Sequence, residues 1–196
     1  MKEITIKGYT FNELNEEAKA KALETHNHIL VEDNDWHDPL LEGFEEDMEA
    51  IGFADVKPSY SGFWSQGDGA CFTCQSVDLV KVFEHMKSIK YIVIPQSWMD
   101  AAKNGTATAS IEKGTESFCH RYSHSNTITA NVDADNGFIA ENIAVVLTAY
   151  VRDLSDKLYA DLEIQYDAET SEEAVGTELE EREYLFTEEG QHIKFN

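Results

Sequence analysis

The apolar residues between Ile139 and Leu162 recur every three or four positions without a break, which is the spacing of one face of an α-helix. They are Ile139, Ile143, Val146, Leu147, Tyr150, Leu154, Leu158 and Leu162. The pattern predicts a helix over residues 138–168, roughly 45 Å long at about 1.5 Å per residue. We expect four of its side chains to face a sheet formed by the central segments: Ile143, Leu147, Leu154 and Leu158.

The centre of the chain has the composition of paired strands. Residues 56–64 and 70–77 are predicted strands, and Ser65–Gly69 between them favours a hairpin because two glycines are available for positive φ. A second hairpin is predicted from residues 106–111 and 117–132, with its turn near Lys113.

Shorter helices are predicted before, between and after these strands, at residues 13–31 (capped by Asn12), 39–51, 78–86 (capped by Asp78), 95–104 and 171–183. Residues 184–190 are expected to pack back on the core. Together the elements predict an α+β fold and a single domain over residues 1–196. In it, an antiparallel sheet from the central hairpins is packed by N-terminal helices and one long C-terminal helix.

Acidic residues are concentrated at the two ends of the chain. The net charge is −23, and residues 1–49 hold 14 Asp and Glu against 4 Lys and Arg, while residues 131–196 hold 17 against 4. Residues 50–130 hold seven of each. Such a surface repels nucleic acid and membrane phosphates and attracts the proteins that bind them.

Two predicted helices would hold acidic side chains in rigid rows. The candidate partner-binding residues are Glu42, Glu45, Glu46 and Glu49 on one helix and Asp153, Asp156, Asp161 and Glu163 on the other. Rigid rows of carboxylates could imitate the charge of a phosphate backbone, which places one charge per ~1.7 Å of duplex axis. Ordinary solvated helix faces would give the same pattern, and both interpretations stay open here.

A second candidate site lies in the central hairpins. The segment Ser61–Ala70 places two aromatic residues before a Gly-Asp-Gly turn, and residues 118–127 carry a row of His and Tyr on a predicted strand. A ligand cluster is conceivable from Trp64, Asp68, His120, Tyr122 and His124. A tight structural hairpin and a solvated sheet face are the alternatives.

Nothing in the sequence favours catalysis or a cofactor. The spacing of Gly62, Ser65 and Gly67 misses the nucleophile elbow Gly-x-Ser-x-Gly by one residue. Cys71-x-x-Cys74 with Cys119, His120 and His124 has some of the residue types of a zinc site, but residues three apart on a strand point to opposite faces. We therefore expect no enzyme activity, no metal and no cofactor.

The expected location is an intracellular one. No run of about 18 apolar residues could span a membrane, and the opening residues have no apolar signal region. Three cysteines, an odd number, suit reduced thiols in a cytosol.

Several segments resemble a family of small phage and prophage proteins, some of which are loosely labelled as the antitoxin of a toxin–antitoxin stability system. The specific part is SGFWSQGDGA at residues 61–70, followed by Cys71-Phe72; residues 9–14, 16–19, 121–124 and 184–190 also match in order. The resemblance implies a phage context and the host bacterial cytoplasm, and it transfers no catalytic residue.

An acidic phage protein of this size is similar in style to anti-restriction and anti-CRISPR inhibitors, by analogy. The predicted function is thus an inhibitor that binds a bacterial defence or nucleic-acid-handling protein through its basic surface, with no direct contact to nucleic acid or membrane. The alternatives are a protein that binds or sequesters a nucleotide or second messenger, and an antitoxin for a basic toxin.

Overall fold

The computed structural model describes residues 7–32, 35–116, 119 and 121–194. Contacts group the chain into two compact units. We call residues 38–163 the central unit, and residues 1–37 with 164–196 the terminal unit. The expectation of a single domain stays a prediction, whereas the predicted α+β class with antiparallel strands and a long C-terminal helix is confirmed.

Helices account for most of the regular structure in the described residues. They are α1 (Glu16–His26), α2 (Asp38–Ile51), α3 (Leu79–Ser88), α4 (Gln96–Lys103), α5 (Gly137–Glu169) and α6 (Glu172–Glu181). Short 3-10 helices occupy Phe11–Glu13 and Ser125–Thr127. None of these helices is both long enough and apolar enough to cross a bilayer.

The strands of the central unit form antiparallel pairs. They are β1 (Phe53–Ala54), β2 (Lys57–Tyr60), β3 (Ala70–Thr73), β4 (Ser76–Val77), β5 (Ala107–Lys113) and β6 (Ile128–Ala134). The pairs are β1 with β4, β2 with β3, and β5 with β6. A bridge between Cys74 and Ile111 connects the first hairpin to β5, so the two hairpins adjoin as predicted.

The predicted strand over residues 117–132 is wrong in its first half. Residue 121 is helical, residues 122–127 form a loop and a 3-10 turn, and β6 begins only at Ile128. Short polar side chains satisfy the backbone locally there: the amide N of Asn126 donates to His124 Nδ1 at 3.2 Å, and Thr127 Oγ1 donates to the His124 carbonyl at 2.7 Å. Tyr122 and His124 therefore do not lie on a strand, and residues 117, 118 and 120 lie outside the described part.

The core of the central unit combines residues of α2, α3, α4, α5 and the strands. Ile143 and Leu147 are buried in this core together with strand residues, as predicted. Leu158 is buried but is not part of this cluster, and Leu154 is only partly buried. The helix is also tied to β6 by hydrogen bonds. The amide N of Ala130 donates to Thr148 Oγ1 at 2.9 Å, and the Arg152 guanidinium donates to the Ile128 carbonyl.

The terminal unit has its own smaller core. Its buried apolar residues are Phe11, Leu14, Ala18, Ala22, Ile29, Val175, Leu179 and Phe186. Helix α1 begins after Asn15, whose side chain accepts from Ala18 N, rather than after Asn12. Of the two N-terminal helices, α2 thus packs on the strands of the central unit, and α1 contributes to this second core. Phe186 pairs with Tyr9 through two backbone hydrogen bonds, so the tail packs back as predicted.

Candidate functional site

Helix α2 presents a strongly acidic surface. It carries six Asp and Glu and no Lys or Arg. Glu42, Glu46, Asp47 and Glu49 are exposed, and Glu45 is half-buried. Glu49 lies in the last turn, where the negative end of the helix dipole disfavours an anionic side chain. The helix therefore carries an acid at a position that does not help it fold.

The acids predicted on α5 divide between two roles. Asp156 and Asp161 are exposed, whereas the Asp153 carboxylate accepts a hydrogen bond of 2.6 Å from the Tyr91 hydroxyl. Burial of the Tyr91 ring, together with this carboxylate, raises the pKa of Tyr91 to about 12, so it stays a donor. The Asp153 carboxylate thus helps to hold the Tyr91 side chain against α5.

The half-buried Glu163 lies near the Tyr159 phenol on the same helix. Burial, followed by the charges of Glu163 and Asp68, raises the pKa of Tyr159. The Tyr159 ring is stacked on Phe63 with centroids 5.5 Å apart. Glu163 therefore borders the hairpin loop rather than the α2 surface.

A groove runs between α2 and α5 and brings the two acidic rows together. Its volume is about 310 Å³. The lining residues are Leu40, Gly43, Phe44, Glu46, Asp47 and Met48 from α2 and Leu154, Lys157, Leu158 and Asp161 from α5. Two predicted partner-binding residues, Glu46 and Asp161, thus border the same groove from opposite helices.

Sequence reasoning missed Asp47, Lys157 and Gly43 as members of this site. The acids predicted on α2 lie on the face opposite its apolar stripe, yet the groove opens along the edge of that stripe. The signal available in the sequence was the combination of Gly43 with Leu40 and Phe44, because a glycine inside an apolar helical stripe leaves a gap.

The acids around the groove form no direct ion pair, although Lys157 lines the same groove. Among the described residues, no Lys or Arg lies within ion-pair distance of Glu42, Glu46, Asp47, Glu49 or Asp161. The ion pairs that the structure does show, Lys19 with Glu16 and Arg182 with Glu178, are both in the terminal unit.

The hairpin loop between β2 and β3 is held in an unusual conformation. Gly62, Trp64 and Gly67 all have positive φ, at 68°, 65° and 93°. The amide N of Ser65 donates to the Asp68 carboxylate at 2.7 Å, which fixes the turn. Positive φ is costly for a bulky residue such as tryptophan, and its side chain is 67% exposed. The turn thus holds the Trp64 ring in a largely solvent-exposed position.

The loop between β2 and β3 packs directly on residues 122–124, which carry two members of the predicted ligand cluster. A Cβ at Gly67 would lie 3.0 Å from the Tyr122 ring, and a Cβ at Gly69 would lie 2.4 Å from that of His124. Of the predicted ligand cluster, Asp68, Tyr122 and His124 therefore meet around the loop, and Trp64 extends from it. His120 lies outside the described residues. Contacts within the cluster favour a structural role for these three, and ligand binding stays a prediction.

Lys113, the last residue of β5, connects these segments. Its ammonium donates to the Tyr122 carbonyl at 2.7 Å and lies 3.2 Å from Cys71 Sγ. Ser123 Oγ and Thr127 Oγ1 lie within 3.4 Å of the same nitrogen. One lysine thus holds the 122–127 loop against the first hairpin.

The three cysteines are buried and reduced. Burial raises the pKa of the Cys74 thiol to about 11, which disfavours the reactive thiolate. Across the described residues, no cluster of three or more His, Cys, Asp or Glu is arranged to hold a metal ion.

Comparison with known families finds a match that covers the central unit. A family model described as Domain of unknown function (DUF8835) matches residues 36–172. The chain belongs to the DUF8835 family. The matched region contains the α2–α5 groove and the hairpin loop, whereas α1 lies outside it. No curated protein and no solved structure matches the chain.

Proposed function

We propose that this DUF8835 protein is a phage-encoded acidic inhibitor that acts in the host bacterial cytoplasm. It binds a bacterial defence or nucleic-acid-handling protein on its basic surface, and it does so without catalysis or a cofactor. The observation that supports this proposal is the convergence of unpaired carboxylates from α2 and α5 on one groove. The phage origin and the host location rest on the sequence resemblance alone.

The charge density of α2 supports an imitation of nucleic acid. Its six acids are spread over 14 residues, an axial rise of about 21 Å at 1.5 Å per residue. That is about one negative charge per 3.5 Å, close to the ~3.4 Å of a single nucleic-acid strand. A basic protein groove that tracks a phosphate backbone would thus meet a similar charge spacing on α2.

The unfavourable position of one acid of α2 supports the same proposal. Glu49, in the last turn, is expected to cost the helix about 0.3–1 kcal/mol relative to a neutral side chain. Binding to a cationic partner would offset this cost, whereas a purely solvated face would gain nothing from it. Residues retained against stability are typical of functional surfaces.

Charge reversal on α2 tests the proposal. A variant with Glu42, Glu46, Asp47 and Glu49 changed to Lys is compared with a control in which four exposed acids of the terminal unit, Glu24, Glu181, Glu188 and Glu189, are changed to Lys. The assay captures a partner from bacterial lysate, identifies it, and measures its binding to purified protein and to nucleic acid. We expect the α2 variant alone to lose binding, and nucleic acid to compete with the native protein.

Equal binding by both variants would refute the proposal, as would a ternary complex with nucleic acid on the same partner surface. A partner that proves to be a basic toxin would instead support the antitoxin alternative.

A nucleotide or second messenger is the second candidate ligand, favoured by the exposed Trp64 ring on its strained loop. Titration calorimetry with a panel of nucleotides and cyclic nucleotides tests it, with Trp64→Ala as the matched control. An absence of heat with native protein would remove this candidate and leave the acidic surface unaffected.

A further inference from the structure

The groove between α2 and α5, which we call the trough, has a shape that would accommodate a third helix. Leu154, Lys157, Leu158 and Asp161 follow the spacing i, i+3, i+4, i+7 along α5, so they form one stripe. The lining residues of α2 run from Leu40 to Met48 with the same helical spacing. Two adjacent stripes on neighbouring helices form an elongated trough, not a closed pocket.

The floor of the trough is apolar and open at one point. Leu40, Phe44, Met48, Leu154 and Leu158 supply aliphatic and aromatic surface. Gly43 lies among them, and a Cβ built on it would meet no atom within 4 Å. Glycine in a helix interior costs about 1 kcal/mol relative to alanine, so its presence here needs a reason other than helix stability. Space for a side chain from outside is such a reason.

The charged rim of the trough selects the kind of helix that fits. Glu46 and Asp47 lie on one wall and Asp161 on the other, with Lys157 as the lining cation. The lining thus carries three carboxylates and one ammonium group. A guest with Lys or Arg on both flanks of an apolar stripe would pair with both walls, whereas an acidic guest would be repelled.

We infer that the trough binds one basic amphipathic α-helix of the partner protein, whose apolar residues enter beside Gly43 and whose Lys and Arg meet the acidic walls. This is helix-in-groove recognition, in which anchors at i, i+3 or i+4 and i+7 carry the specificity. The inference rests on the proposed function, because it assumes a cationic partner. It adds that recognition depends on an apolar anchor as well as on charge.

A synthetic peptide tests the inference without knowledge of the partner. The probe is a helical peptide of about 14 residues, four turns, built from Leu on one face and Lys on the other. Its control is a peptide of the same composition with the Leu and Lys order scrambled. Binding to the full chain is measured by fluorescence anisotropy at physiological salt. We expect the amphipathic peptide to bind at least about tenfold more tightly than the scrambled one.

Two glycine variants locate the binding. Gly43→Leu fills the trough, and Gly137→Leu adds the same side chain at another open glycine, at the start of α5. We expect Gly43→Leu to weaken peptide binding about tenfold or more and Gly137→Leu to leave it unchanged. Thermal melts show whether each variant folds, and Gly43→Ala, which leaves most of the trough empty, provides a folded second variant that should still bind.

The outcomes separate this inference from the proposed function. If both peptides bind equally and Gly43→Leu changes nothing, the trough is not a helix site, while loss of partner binding on charge reversal would still support the acidic inhibitor. If Gly43→Leu abolishes peptide binding but charge reversal leaves the partner bound, the trough binds helices and the proposed function fails.

Discussion

Gly67 illustrates how a single residue decides the shape of the hairpin loop. It combines positive φ with an approach of 3.0 Å between its Cβ position and the Tyr122 ring. Gly105 has positive φ as well, but a Cβ there meets nothing within 4 Å. The two positions therefore separate backbone strain from steric contact.

We expect Gly67→Ala to destabilise the protein more than Gly105→Ala. Gly105→Ala should cost about 1–2 kcal/mol for the left-handed conformation alone, and Gly67→Ala should add the displacement of the Tyr122 ring. Urea denaturation of both variants measures the difference. Equal losses of unfolding free energy would contradict the close contact.

Lys113 offers a second prediction at this scale. Lys113→Met keeps the length of the side chain and removes the ammonium that donates to the Tyr122 carbonyl. Loss of a hydrogen bond from a charged group should lower the unfolding free energy by about 1.5–3 kcal/mol. Lys103→Met, at an exposed position in the last turn of α4, is the control and should cost less, about 0.3–1 kcal/mol for the lost interaction with the helix dipole. A similar small effect at both lysines would show that Lys113 does not hold the 122–127 loop.

Helix α5 contains buried and groove-lining leucines on one stripe. Both Leu154 and Leu158 line the trough, but Leu158 is only 1% exposed, whereas Leu154 is partly buried. We expect Leu158→Ala to cost about 2–5 kcal/mol and Leu154→Ala clearly less. Thermal or chemical unfolding distinguishes the two. A larger loss for Leu154→Ala would mean that the trough is filled in solution by another part of the molecule.

The sequence predicted helices well where their signal was local. Residues 138–168 were predicted and Gly137–Glu169 is observed, because the apolar period persists over the whole length. The Asp78 cap was also predicted, and its carboxylate accepts from Lys81 N at 3.1 Å.

Distant contacts are a main cause of the failures. Residues 122–127 have strand-like composition and are held as a loop partly by local hydrogen bonds, but they also lie against Gly67 and Gly69, which come far earlier in the chain. The trough was invisible for the same reason, since α2 and the matching part of α5 are separated by about a hundred residues. Single-sequence patterns report local periodicity and carry no information on which stripes meet.

At the scale of the whole molecule, the terminal unit should respond to pH through two of its histidines. In the terminal unit, burial lowers the pKa of His26, with further contributions from His192 and Lys194, while Glu32 acts in the opposite direction. Burial and Lys194 likewise lower the pKa of His192, which is stacked on Tyr184 with centroids 4.2 Å apart. Both imidazoles are thus held neutral in the folded state.

This gives a prediction with a definite sign. As the pH falls through about 6.5, the unfolded chain binds protons that the folded unit resists, so the terminal unit loses stability from that pH downward. His192→Phe keeps an aromatic ring stacked on Tyr184 and removes one of the two titratable imidazoles. Between pH of about 7.5 and 5.5, the protection factors of the amides in α1 and α6, which are corrected for the pH dependence of intrinsic exchange, should fall less in this variant than in the native chain. An equal fall of the protection factors in both would contradict the assignment.

The pairing of α2 with α5 also determines when the trough forms during synthesis. Helix α2 emerges from the ribosome early, but Asp161 follows more than a hundred residues later, a delay of roughly 5–20 s at ~5–20 residues per second. Until then Phe44 and Met48 lack α5 as a neighbour, and the trough does not exist. Any product of premature termination before residue 154 would carry the acidic helix without the trough.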